Sequence, residues 1–276
     1  MDWYDMIGAS TRLVAIIGSP IAQVKSPDNF NRYFQDRGID RAMIALDLKA
    51  GQIADFVAMA RGWENLDGLV VTIPHKNAVA ALIDELSPRA RYLGAVNVVR
   101  RHADGRLSGD MTDGTGFLQA LHERGFAVAG KSALLIGAGA AGSAIAQALA
   151  EAGVAELWIR DIDQKCAKTL VEKLATAFPQ CRATVATGEI RPFHLVVNCS
   201  PAGMNELDPQ PVAQSIIDIM PADGLAAEVI TSPDHTAFLK AAAARGLAVQ
   251  TGSEMAKAQF QLLRTAMGIM DGDTHA

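Results

Sequence analysis

The run Gly137-Ala138-Gly139-Ala140-Ala141-Gly142 constrains this chain more than any other stretch. It stands between an apolar segment, Ser132 to Ile136, and an alanine-rich stretch of helical character from Ser143 to Ala150. Strand, tight turn and helix in that order make a dinucleotide-binding turn. The first glycine permits the turn, the second lets the backbone approach a pyrophosphate, and the third lets the helix pack closely on the strand. The leading N–H groups of the helix then face the phosphates. Glycine clusters also punctuate ordinary turns, so the neighbourhood decides. Leu157-Trp158-Ile159-Arg160-Asp161 supplies a second strand that ends in a carboxylate about 20 residues further on, where an acidic side chain can hold the adenosine ribose hydroxyls.

A chain of 276 residues, half of them hydrophobic, can bury the cores of two modest α/β domains. Its net charge of −5, with dispersed Lys and Arg, argues against a general nucleic-acid or membrane surface and leaves a small molecule as the expected partner. Cys166, Cys181 and Cys199 are odd in number and lack CxxC spacing, so neither a disulfide framework nor a metal site is expected, and a reducing cytoplasm fits. The stretch Met1 to Ser10 carries Asp2 and Asp5 and has no basic region before an apolar one, unlike a signal peptide.

Short apolar runs alternate with helical patterns from the start. Strands are expected at Leu13 to Gly18, Met43 to Leu48 and Gly68 to Ile73, with helices after Ser26-Pro27 and over Ile53 to Met59. That alternation means a mostly parallel sheet with crossover helices. After Pro74 the spacing of Val79, Leu82, Ile83 and Leu86 predicts a helix. Ala103-Asp104-Gly105-Arg106 predicts a hairpin. The expected organisation is a substrate domain over residues 1–111 plus 252–276 and a Rossmann-type dinucleotide-binding domain over residues 112–251.

Ligands of open α/β sheets lie beyond the carboxyl ends of the strands. Thr72 falls at such an end, and Lys76 follows in the first turn of a helix, where the macrodipole disfavours a cation. In a partly dry site that lysine becomes a candidate general base, although a solvated surface lysine has the same sequence. Asp113 reads equally as a proton-relay partner or as the N-cap of the next helix. Ser26 reads as a cap before Pro27, Asn97 as a turn residue, and Gln259 lies on the apolar face of the last helix, Ser253 to Met270.

Taken together, the blocks Gly18-Ser19-Pro20-Ile21 with Lys25-Ser26-Pro27, Val71-Thr72-Ile73-Pro74-His75-Lys76, Gly94-Ala95-Val96-Asn97, Gly109-Asp110 with Thr112-Asp113-Gly114, and Asn198 to Met204 resemble the shikimate dehydrogenase family, in its order and over nearly the whole chain. The resemblance implies a cytoplasmic, NAD- or NADP-dependent oxidoreductase of aromatic amino acid biosynthesis or quinate metabolism. It would reversibly oxidise a ring secondary alcohol of shikimate, quinate or a related cyclic hydroxy acid, and a homodimer is compatible with the likeness. It implies Lys76 and Asp113 as the catalytic pair, Thr72, Asn97 and Gln259 at the ring substituents, and Ser26 at the carboxylate. The dinucleotide would lie on Gly137, Ala138, Gly139, Ala140, Ala141 and Gly142, with Arg160, Asp161, Cys199, Ser200, Gly203, Met204 and Gly252 around it.

Departures from the family pattern carry equal weight. Val24 replaces a usual serine, Val70 and Met111 replace asparagines, and Thr231 falls where a tyrosine is common. Each hydrogen bond missing from a dry site changes substrate preference by about 1–3 kcal/mol, so the expected substrate is shikimate only weakly, or quinate, an aminoshikimate or a less polar relative. NADP-preferring relatives place arginine and small polar residues after the second strand. Asp161 would instead repel a 2′-phosphate and accept from a 2′-hydroxyl, favouring NAD. Two other readings stand beside this one: an enzyme of the methylenetetrahydrofolate dehydrogenase kind, and a non-catalytic sensor of NAD or quinate.

Overall fold

The computed structural model describes residues 7–188, 190–205 and 210–270. The chain divides into two compact units, one running to Thr112 and resuming at Phe260, the other comprising Asp113–Gln259. The return falls eight residues later than the 252 expected from sequence. Its cause is the last helix, whose first turns pack in the second unit, with Met255 in that unit's core.

The first unit contains β1 (Arg12–Gly18), α1 (Ser26–Arg37), β2 (Arg41–Asp47), α2 (Ile53–Gly62), β3 (Leu66–Val71), α3 (Lys76–Ala80), β4 (Glu85–Leu86), α4 (Pro88–Leu93), β5 (Val98–Arg101) and β6 (Leu107–Asp110). Its sheet runs β2-β1-β3-β5-β6-β4. β1 pairs parallel with β2 and β3, setting Val14 beside Met43 and Gly68. The β3, β5 and β6 pairings are antiparallel, and β4 joins β6 in parallel. Val14, Ala15, Ile16 and Ile17 are all buried, the unbroken apolar run of a strand covered on both faces. In α1, Phe30, Tyr33 and Phe34 recur at helical spacing and pack with Val14, Ile16, Val70, Leu263 and Met267. Gly38 ends that helix in the left-handed region, returning its N–H to the carbonyls of Phe34 and Gln35.

The helix expected from Val79 to Leu86 stops at Ala80. Asp84 N–H donates to the Leu107 carbonyl, the Asp84 carboxylate accepts from Leu107 N–H, and Glu85–Leu86 pair with β6. Sheet pairing thus takes the backbone groups that a longer helix would have used.

The second unit contains α5 (Asp113–Glu123), β7 (Ser132–Ile136), α6 (Ala140–Glu151), β8 (Glu156–Arg160), α7 (Gln164–Ala177), β9 (Arg182–Val185), β10 (Leu195–Asn198), α8 (Gln214–Asp218), β11 (Leu225–Glu228), α9 (Ala237–Ala244) and β12 (Ala248–Gln250). The last helix, α10 (Gly252–Met267), begins here and ends in the first unit. All pairings of the sheet β12-β11-β10-β7-β8-β9 are parallel. The chain winds outward from β7 to β8 and β9, then returns to β10 on the other side. This reversal opens a crevice at the carboxyl ends of β7 and β10, where such sheets bind ligands. The sequence reading contains neither β9 nor α8; with four and five residues they are too short to establish a period. Among the described residues, no helix is long and apolar enough to cross a membrane.

Candidate active site

In the first unit, the carboxyl ends of β1 and β3 bring Thr72 next to Gly18. A Cβ at Gly18 would fall 2.4 Å from the Thr72 methyl, so only glycine admits this approach. The expected cap at Ser26 is absent: Lys25 holds the N-cap position, and no side chain caps α1. Neither the Ser26 nor the Thr72 hydroxyl makes a hydrogen bond among the described residues. Both are half-exposed and therefore available to a ligand.

Lys76 opens α3, and its carbonyl accepts from Val96 N–H at 3.0 Å. His75 before it is buried, and its Nε2 lies 2.7 Å from the Leu48 carbonyl. That contact anchors the turn leading into the lysine. Asn97 is buried as well. Its Oδ1 accepts from Thr112 N–H at 2.8 Å and its Nδ2 donates to the Thr112 hydroxyl at 3.1 Å. Its backbone joins the ends of β3 and β6 through Val71 and Asp110.

In the second unit, Asp113 is the first residue of α5 and is buried. Its carboxylate accepts from Gln259 Nε2 at 2.8 Å, which brings together two residues that the sequence singles out separately. Two glycines make that meeting possible. A Cβ on Gly114 would fall 2.2 Å from the Ala144 carbonyl, and one on Gly116 would fall 2.8 Å from the Gln259 Cβ.

The glycine turn has the geometry its sequence predicts. Gly137 has a positive φ of 98°, and a Cβ there would fall 2.9 Å from the Cys199–Ser200 peptide. A Cβ on Gly142 would fall 1.9 Å from the Gly137 carbonyl, which requires glycine where α6 packs on the turn. At Gly139 nothing lies within 4 Å, leaving the open approach a pyrophosphate needs beside the first N–H groups of α6. Ala138 N–H donates to Asp161 Oδ2 at 2.6 Å, which turns the carboxylate closing β8 toward the glycine turn. Arg160 points elsewhere, to the Pro211 carbonyl, and burial pulls its pKa down. Cys199, Ser200, Gly203 and Met204 follow β10 at the same crevice. Burial, with Glu228 and Asp113 nearby, pushes the Cys199 thiol well up. Gly252 is pressed against the chain after β11, where its Cβ would fall 2.2 Å from the Ile230 carbonyl. These features fit a dinucleotide.

Val70 belongs to the apolar cluster around α1, and Val24 packs against that cluster. Met111 is fully buried. None of the three supplies a polar atom. Sequence reasoning missed Glu228, a buried carboxylate closing β11, and the signal for it is a charged residue ending the apolar run Leu225-Ala226-Ala227. It also missed Gly116 and the Thr112 partner of Asn97.

Residues 16–99 match the shikimate dehydrogenase substrate-binding domain. A shikimate dehydrogenase (NADP(+)) of Symbiobacterium thermophilum is 38% identical over 251 residues, covering 88% of this chain and 84% of that one. Among solved structures, the 5-ketofructose reductase of Gluconobacter sp. strain CHM43 superimposes with a TM-score of 0.83 at 30% identity, covering 95% and 94% of the two chains. A quinate dehydrogenase from Corynebacterium glutamicum, solved with NAD, gives 0.84 at 27% identity, with 95% of each chain covered.

Proposed function

The chain belongs to the shikimate dehydrogenase family of NAD(P)-dependent alcohol dehydrogenases, and from that premise we propose that it oxidises a ring secondary alcohol of a cyclic hydroxy acid, with NAD preferred to NADP. The observation that carries this reading is the buried Asp113 carboxylate held at 2.8 Å by Gln259. A family member that had lost its chemistry would have no need of that pair, nor of Lys76. This argues against a non-catalytic sensor.

When bound, the nicotinamide accepts the hydride. The protein supplies the rest. Lys76 Nζ takes the hydroxyl proton as the carbon gives up hydride, leaving a ketone, and returns that proton in the reverse direction. Asp113 orients the amine and accepts from the substrate hydroxyl, while Gln259 fixes its carboxylate. Asn97 presents an amide whose orientation Thr112 has set, and the unengaged hydroxyls of Ser26 and Thr72 hold the carboxylate and a ring hydroxyl.

With Val24, Val70 and Met111 apolar, the preferred substrate differs from shikimate in its ring or its substituents, as quinate, an aminoshikimate or a less polar relative does. Asp161 favours NAD, the dinucleotide with which the quinate dehydrogenase was solved, although the Symbiobacterium relative is named for NADP(+). The reaction belongs to a reducing cytoplasm, with all three thiols free.

Steady-state kinetics test the proposal, using shikimate, quinate, aminoshikimate and, because of the Gluconobacter neighbour, 5-ketofructose. Catalytic efficiency highest on quinate or a less hydroxylated acid is the expected outcome. Efficiency on shikimate equal to that of a biosynthetic enzyme refutes the altered-substrate reading, and dinucleotide binding without turnover of any of these compounds restores the sensor.

A further inference from the structure

The chemistry above makes no use of Glu228, a fully buried carboxylate in the second unit. Donors surround it. Asn198 Nδ2 lies 3.1 Å from both of its oxygens. Val229 N–H and Ile230 N–H donate to Oε1 at 3.0 and 3.3 Å. The Thr236 hydroxyl donates to Oε2 at 3.2 Å while accepting from Leu239 N–H at the head of α9. An anion satisfies every one of these groups at once, and an amide in its place would turn its NH₂ toward one of them.

Asn198 carries the consequence outward. Its Oδ1 accepts from Ser200 N–H at 3.1 Å and from the Ser200 hydroxyl at 2.7 Å. Its Nδ2 donates to the Ala202 carbonyl at 2.9 Å as well as to Glu228. Flipping the amide to suit a new neighbour would set its oxygen against the Ala202 carbonyl and its NH₂ against Ser200 N–H. The asparagine is therefore locked in one orientation by the loop on one side and the glutamate on the other. Gly203 packs the same loop 3.5 Å from the Thr236 side chain, measured from the position of a Cβ.

We propose that Glu228 is a positioning residue for the dinucleotide: through Asn198 and Thr236 it holds the loop from Cys199 to Met204 in the shape that receives the cofactor. This rests on the reading that the loop faces the dinucleotide. Among the described residues, the titratable side chain near Glu228 is Cys199, just after β10; the neighbours from the end of β11 and the start of α9 are backbone amides and a threonine.

The test is the dissociation constant of NADH and of NADPH, read by their fluorescence with no alcohol present, for wild type, Glu228→Gln, Asn198→Ala and the double variant. Each single change is expected to weaken binding of the preferred cofactor about tenfold, with kcat at saturating cofactor within about threefold of wild type. The double variant should bind no worse than the weaker single one, because both act through one contact. A folded Glu228→Gln that binds like wild type overturns the proposal, as do single effects that multiply in the double variant. If Glu228→Gln does not fold, Glu228→Asp keeps the charge but shortens the reach to Asn198. Weakened binding then supports the proposal, and wild-type affinity overturns it. Wild-type protein that binds neither cofactor would instead sink the dehydrogenase assignment itself.

Discussion

Replacing Asp161 should move cofactor preference by an amount the geometry allows one to work out. Its carboxylate accepts from Ala138 N–H at 2.6 Å and Asp163 N–H at 2.8 Å, which fixes it beside the turn where the adenosine ribose would lie. A 2′-phosphate there brings about 1.5 to 2 negative charges. Two unit charges about 4 Å apart repel by about 1 kcal/mol in water and about 4 kcal/mol near a protein surface. For a half-exposed carboxylate, about 2 kcal/mol is a fair value. The hydrogen bond lost with the 2′-hydroxyl adds about 1 kcal/mol. Together these predict NAD bound about 100-fold more tightly than NADP, at about 1.4 kcal/mol per factor of ten. Asp161→Asn keeps the shape and removes the charge, so the ratio should fall about tenfold or more, mostly through better NADP binding. Fluorescence titration of NADH and NADPH at low and high salt measures this without any alcohol. Raising salt should improve NADPH binding in the wild type more than in the variant, because screening weakens only the repulsion. A wild type that prefers NADPH, or a ratio unchanged in Asp161→Asn, refutes the reasoning.

Lys76→Ala and Asp113→Ala should each lower kcat by about 10²- to 10⁴-fold, the usual worth of a positioned acid–base group, with NADH affinity unchanged in titrations; undiminished turnover in either removes that residue from its role. Gly116→Ala would place a methyl 2.8 Å from the Gln259 Cβ. It should cost about 1–3 kcal/mol by overpacking, seen as a lower melting temperature, and should raise the KM for the alcohol as Gln259 leaves Asp113; an unaltered KM denies Gln259 its part. Burial raises the pKa of Glu228 from 4.5 to about 7. Because the folded state then binds the proton more tightly than the unfolded one, stability should fall as pH rises between those values, by about 3 kcal/mol from this group. Denaturant titrations across that window should show the slope in the wild type and lose it in Glu228→Gln; equal slopes would mean Glu228 does not titrate there.

Local sequence was enough for what depends on neighbours along the chain. Gly137 and Gly142 specify a turn because each has its own steric demand, Gly139 leaves the approach open, and Asp161 follows at a distance set by one strand–helix–strand unit. The parallel pairing of β1 with β2 and β3, and of the whole second sheet, follows from alternating strands and helices, since a right-handed crossover leaves few arrangements. What depended on distant partners was not legible. The helix expected as far as Leu86 ends at Ala80 because a strand some twenty residues later takes its backbone. Nor does the spacing of Asp113 and Gln259 along the chain announce that they meet, or that Gly116 leaves the room for it. The surroundings of Glu228 were not legible for the same reason: a single charge after three apolar residues marks the position but says nothing of the donors that β10, its own strand's end and α9 bring around it. Turns and periods are properties of the chain, whereas a buried polar group is tolerated only by the partners that folding assembles.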